Sequence, residues 1–231
     1  MKAWFFAGLC LYSFCAAQST HVGVGRPTLE ELVLSKRLPQ FTLLQGTLYD
    51  GLKNLGSGRV PFAFGFEEVL KERFSDPEIQ DPRFDLRLEN KTVRDVLDAL
   101  CLADSRYSWS SDAFTVNIYP RSTVGDAAYL LNRRLPKFYL AGITNIDEGL
   151  LAIVHQLPPP EELVAHVQMG GDSSYPLEPW HSSFQDLSVR QAMNRLVAHM
   201  GQHACWIFHG SRDFRAFTFF RTGFSKGTSS S

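Results

Sequence analysis

Phe41 and Leu43 alternate with polar neighbours, as do Phe138 and Leu140 97 residues later, and period-two alternation marks a strand with one buried face. Behind them stand Thr47-x-x-Asp50 and Asn145-x-x-Glu148, each an N-cap oxygen followed by an acid suited to the positive end of a helix. A second alternating run, Phe84-Asp-Leu86-Arg-Leu88, predicts another strand, and its later partner at 182–185 is weaker. Then Thr92-x-x-Asp95 and Ser188-x-x-Gln191 announce a second helix start. Val93, Val96, Leu97, Leu100 and Cys101 fall at i, i+3, i+4, i+7 and i+8, and Val189, Ala192, Met193, Leu196 and Val197 take the same places. Each half closes on two short strands, 106–109 with 114–119 and 203–208 with 214–220. The predicted order, twice over, is strand, helix, strand, strand, helix, strand, strand.

The similarity extends to side-chain identity. Leu34-Ser-Lys-Arg37-Leu38-Pro39-Gln-Phe41-Thr-Leu43 returns as Leu131-Asn-Arg-Arg134-Leu135-Pro136-Lys-Phe138-Tyr-Leu140, with six of ten positions identical. A repeat this long is a duplicated unit rather than a solenoid turn. The fold class read from the pattern is therefore α+β, in two tandem small domains spanning 28–121 and 126–221. Thr28 to Arg37 and Asp126 to Arg134 are short helical lead-ins. Because Leu130 and Leu131 match Val33 and Leu34, the linker is expected to pack rather than swing. The Ser- and Gly-rich tail at 222–231 is expected to be disordered.

These residues carry a resemblance. Phe41-Thr-Leu43 entering a helix with Gly51-Leu52, then Leu86-x-Leu88-x-Asn90-x-Thr92-Val93-x-x-Val96-Leu97-x-x-Leu100, then Tyr107-Ser-Trp109 with Val116-x-Ile118-x-Pro120, resemble the secretin and TonB short N-terminal domain. The pattern covers 41–121, and 138–221 by way of the repeat. The chain departs from it in the charged segment 67–83 and at Pro158-Pro-Pro160 and Gly170-Gly171. The resemblance implies a non-catalytic protein-interaction module of the bacterial cell envelope. Its partner would be an envelope protein such as an outer-membrane channel or receptor component, and no cofactor is implied.

The N-terminus points to the same compartment. Met1-Lys2, an apolar run to Phe14 and Cys15-Ala16-Ala17 have the layout of a cleaved leader over 1–17, which predicts a periplasmic or secreted protein. Removing it leaves 22 basic against 24 acidic residues, so nothing favours nucleic acid. Cys101 and Cys205 are then the whole cysteine complement, too few for a disulfide framework, and both are read as core thiols. Six of seven histidines lie in the second repeat. His199, His203, Cys205 and His209 form the alternative reading, a metal-dependent hydrolase or metal-binding protein, since His199-x-x-x-His203 has zinc-ligand spacing on a helix. Gly201 argues that the helix stops before His203. The acids Glu67 and Glu68 show no particular pattern, and no catalytic set emerges. The irregular stretch 158–180, with Tyr175 and Trp180 as aromatic anchors, is the predicted partner surface. Limited proteolysis of the mature chain checks the layout: cuts are expected outside 84–118, and a first cut inside that span contradicts the predicted boundary.

Overall fold

The computed structural model describes residues 29–57, 63–112, 115–157, 179–200, 204–212 and 214–221. The predicted leader, the stretch 158–178 with Tyr175 and the strand expected in the second repeat before 182–185, His203 and the tail lie outside these residues. The first repeat follows the expected order: β1 (Arg37–Gly46), α1 (Leu48–Gly56), β2 (Phe64–Glu67), β3 (Phe84–Thr92), α2 (Val93–Ala103), β4 (Tyr107–Ser111) and β5 (Val116–Pro120). The second contributes β6 (Phe138–Ile143), α3 (Ile146–Val154), β7 (Trp180–Phe184), α4 (Val189–Met200), β8 (Ala204–Gly210) and β9 (Arg215–Arg221). A π-helical turn, Glu30–Leu34, and a 3₁₀ turn, Leu130–Asn132, form the lead-ins, and Val33, Leu34, Leu130 and Leu131 are all buried. Among the described residues no helix is long and apolar enough to cross a membrane.

The two repeats share local geometry as well as pattern. Thr47 and Thr92 form full capping boxes with Asp50 and Asp95, and Ser188 and Gln191 form the same reciprocal pair at α4. Asn145 caps α3, whereas Glu148 reaches back one residue further, to the Thr144 N–H. The ribbons β1–β3 and β6–β7 are antiparallel, each irregular in register at the matching place, after Leu43 and after Leu140. Val93 N–H donates to the Lys36 carbonyl and Val189 N–H to that of Arg133, both at 3.0 Å, which ties each second helix to its own lead-in. A Cβ on Gly51 would lie 2.5 Å from Leu100, and one on Gly149 lies 2.5 Å from Leu196, so both helix pairs close over a glycine.

Strands of both repeats enter one sheet. A single five-stranded sheet runs β4-β5-β2-β8-β9, and β2 pairs in parallel with β5 on one edge and with β8 on the other. All four β2 residues are buried, as a central strand with covered faces requires. Strand alternation then divides the interior. Phe64 and Phe66 of β2, Val116 and Ile118 of β5, and Cys205 and Ile207 of β8 enter one core with α1, α2 and the β1–β3 ribbon. Trp206 and Phe208 of β8, with Phe217 and Phe219 of β9, enter the second core with α3, α4 and β6–β7. Cys101 and Cys205 are both buried in the first core, and neither is joined in a disulfide.

Gly65 lies between the two paired phenylalanines on the opposite face, where a Cβ would sit 2.3 Å from the Trp206 indole. Gly65→Ala is expected to cost about 1–3 kcal/mol through overpacking, read as a lowered denaturation midpoint. An unchanged midpoint would show that Trp206 moves aside freely.

Candidate functional site at the seam between the repeats

On the face of β2 that carries Gly65, the next side chain is Glu67, and its environment is polar. Glu67 has no exposed surface, and the side chain of Arg190, in the first turn of α4, is only 16% exposed. Arg190 Nε donates to Glu67 Oε1 and Nη2 to Glu67 Oε2 at 3.0 Å, a two-pronged contact between repeats. The third prong, Nη1, donates to Asn132 Oδ1 at 2.7 Å. Asn132 in turn donates through Nδ2 to the carbonyls of Thr123 and Asp126, so the linker is bound into the same network. The guanidinium also lies 5.0 Å over the Tyr119 ring of β5.

Burial pushes the Glu67 carboxyl up, while the hydrogen bonds and charge of Arg190 oppose that push. Arg190 is held more firmly protonated by Glu67. The Tyr129 hydroxyl is raised by burial and by Glu67 beside it. Deleting either half of such a pair strands a buried charge, a loss of roughly 3–5 kcal/mol.

A second network continues along α4. Trp206 Nε1 donates to Asn194 Oδ1 at 2.9 Å, and Asn194 Nδ2 donates to Asp112 Oδ2 at 2.6 Å. The first repeat has the exposed counterpart, Trp109 Nε1 donating to Asp98 Oδ1 at 2.8 Å. The helix position that is Asp98 in one repeat is Asn194 in the other because Asn194 is fully buried, where a carboxylate would be costly.

Beside this seam lies a cavity of about 450 Å³ lined by Glu68, Leu70, Thr123, Tyr129, Arg212 and Arg215, among others. Glu68 is pushed up to about 7, first by burial and then by Asp81 and Glu78. It is a carboxyl that changes charge near neutrality inside a cavity, the kind of group that marks binding sites. The sequence offered no signal for it, because Glu67-Glu68 reads as an ordinary acidic pair at a strand end.

A second concave region borders the outer edge of β4, a groove of about 540 Å³ between that strand and α2. Arg94 lies 5.3 Å over the Trp109 ring, and Leu102 on the groove wall is 80% exposed. The Arg121 N–H to Arg106 carbonyl bond at 2.8 Å and the Asp112 N–H to Thr115 carbonyl bond at 3.1 Å fix the phase of the β4–β5 ladder. In that phase the backbone groups of Tyr107, Trp109 and Ser111 point away from β5. Arg121 Nε takes the Tyr107 carbonyl at 2.8 Å. Among the described residues no hydrogen bond is made to the outward groups of Trp109 and Ser111.

The residues singled out from sequence are placed as follows. Trp180 packs against the second core, stacks on His199 with centroids 4.9 Å apart, and meets Phe184 edge-on. Tyr175 and His203 lie outside the described residues. Cys205 is buried in the first core, whereas His199 sits beside Trp180 at the second. His209 is half-buried, bonded to Thr218 Oγ1 at 2.9 Å, and lowered by burial. His199, Cys205 and His209 are not brought together, and among the described residues no three His, Cys, Asp or Glu side chains gather as metal ligands. Strand alternation is the reason: it turns Cys205 to the sheet face opposite the one α4 covers.

No protein-family model, curated protein or solved structure matches this chain.

Glu68 sets an expected pH dependence. Its folded-state value of about 7 lies above the ordinary 4.5, so its stabilising contribution is full below pH 4.5 and is lost as pH rises through 7. Glu68→Gln is neutral throughout, so its melting temperature should match the native protein at pH 4.5 and exceed it by several degrees above pH 7. Parallel melting curves across that range would show the carboxyl to be solvated.

Proposed function

We propose that the protein is a tandem pair of secretin-type short domains behind a cleaved leader, acting as a non-catalytic interaction module of the bacterial cell envelope. Two lines support the reading: the motif resemblance, and the order β1-α1-β2-β3-α2-β4-β5 in the first repeat. The observation that carries it is the outer edge of β4. There the outward backbone groups of Trp109 and Ser111 lie beside a groove with an indole, an exposed leucine and both charge signs on its walls. Such an edge takes an extended segment of a partner: the backbone supplies affinity and the groove reads alternate side chains. The proposed partner is an envelope protein, an outer-membrane channel or receptor component.

Ser111→Pro tests this. The Ser111 N–H faces away from β5, so proline at this edge position leaves the ladder intact while deleting a donor to an incoming strand. The expected result is that a protein crosslinked to the native chain in cells disappears with the variant, at unchanged melting temperature. Recovery of no protein partner by the native chain, or of the same partner by Ser111→Pro, would sink the proposal.

A further inference from the structure

The outer edge of β4 is open over a short length, and an arginine closes it. Tyr107 has both of its backbone groups engaged: the N–H donates to the Asp104 carbonyl at 3.1 Å, and the carbonyl accepts from Arg121 Nε at 2.8 Å. Among the described residues of β4, the outward groups left for a partner strand are those of Trp109 and Ser111. A strand added there gains ladder bonds opposite these two residues and none opposite Tyr107. At that end it meets the guanidinium of Arg121 instead.

Strand geometry fixes what such a segment presents. Residues directly opposite one another on paired strands project to the same face. Tyr107 and Trp109 pack with the first core, so a partner residue opposite Trp109, and those two positions on either side of it, project over the groove beside α2. The middle of that groove is apolar, formed by the Trp109 ring and Leu102, which is 80% exposed. Arg121 lines the same groove together with Cys101. Burial pushes the Cys101 thiol up and the charge of Arg121 opposes that push, which puts the guanidinium on the α2 side of the edge.

The charges of the groove favour an acid. Two arginines, Arg94 and Arg121, stand against one aspartate, Asp98, whose carboxylate already accepts from the Trp109 indole N–H at 2.8 Å. Arg94 lies 5.3 Å over the same ring. Arg121 spends Nε on the Tyr107 carbonyl, and among the described residues its two terminal nitrogens have no hydrogen-bond partner. That bond holds the guanidinium in place, so a carboxylate meeting its terminal nitrogens costs little side-chain freedom. A lysine or arginine brought to the same position would face a like charge.

We propose that the β4 edge selects an extended partner segment with an apolar residue opposite Trp109 and an acidic residue two positions away, held by Arg121. This rests on the strand-binding reading of the same edge and adds Arg121 as its specificity-determining residue. The test is titration of the native full chain with acetyl-Thr-Glu-Thr-Val-Thr-Glu-Thr-amide, followed by amide NMR. Its side chains read the same from either end, so it serves whichever way the strand runs. Versions with Gln or Lys in place of Glu are the controls. Saturable binding of the Glu peptide is expected, with shifts centred on Trp109 and Ser111. The Gln peptide should bind about three- to tenfold more weakly and the Lys peptide more weakly still, with the differences shrinking at high salt. Arg121→Gln should bind the Gln peptide as the native chain does and lose the preference for Glu, and Arg121→Lys should retain part of that preference. The comparison of peptides on the native chain decides the matter even where Arg121→Gln fails to fold. Equal affinity for the three peptides, or a Glu preference that persists in folded Arg121→Gln, overturns the role of Arg121 and leaves the strand-binding reading standing. No saturable binding, or binding undiminished by Ser111→Pro, overturns both.

Discussion

The ion pair of Glu67 with Arg190 is the constraint on which the arrangement of the two repeats depends. Glu67 ends the one strand that both repeats share, and Arg190 begins the helix that covers the second core. A charge without exposed surface has to be met by a partner of fixed position. Meeting it sets where α4 starts over the sheet, which sets where Asn194 meets Trp206 and where Trp206 lies across Gly65. Buried pairs of this kind contribute little net stability and are best understood as fixing register. Burial of phenylalanine and leucine on the two faces of the sheet supplies the driving force.

Sharing β2 also explains why the repeats look alike and yet are used differently. The hairpins β4–β5 and β8–β9 flank the same strand, but they enter the sheet by opposite members, β5 in one case and β8 in the other. The first core therefore lies on one face and the second on the other. The β8–β9 hairpin offers the second core tryptophan and phenylalanine, whereas the same face of β5 offers Asn117 and Tyr119. Polar residues in the seam are a consequence of that division. The face of β5 turned from its own core meets the linker and the start of α4 rather than a hydrophobic layer.

Helices and ribbons were legible because their signals are local. Capping oxygens bond three residues ahead, and apolar stripes at helical spacing are buried wherever the helix docks. Val93 to Cys101 and Val189 to Val197 occupy their cores accordingly. Glu67 was illegible for the opposite reason: its partner is 123 residues away, and nothing in Glu67-Glu68 distinguishes the carboxyl that is paired from the one that faces a cavity. The described members of the histidine reading, His199, Cys205 and His209, are held apart on the same ground. Spacing along α4 and β8 says nothing about which face of the sheet each side chain enters.

By itself, the sequence determined the internal repeat, the order and caps of the described elements, and the apolar residues that form the two interiors. All of these follow from periodicities that a short stretch of chain enforces through its own backbone geometry. Only the tertiary structure decided that β2 has two parallel neighbours, that the interiors lie on opposite faces of one sheet, and that a buried charge pair locks them. Parallel pairing joins segments remote in sequence, and its hydrogen bonds are made by backbone groups that are the same in every residue, so no side-chain pattern records the partner.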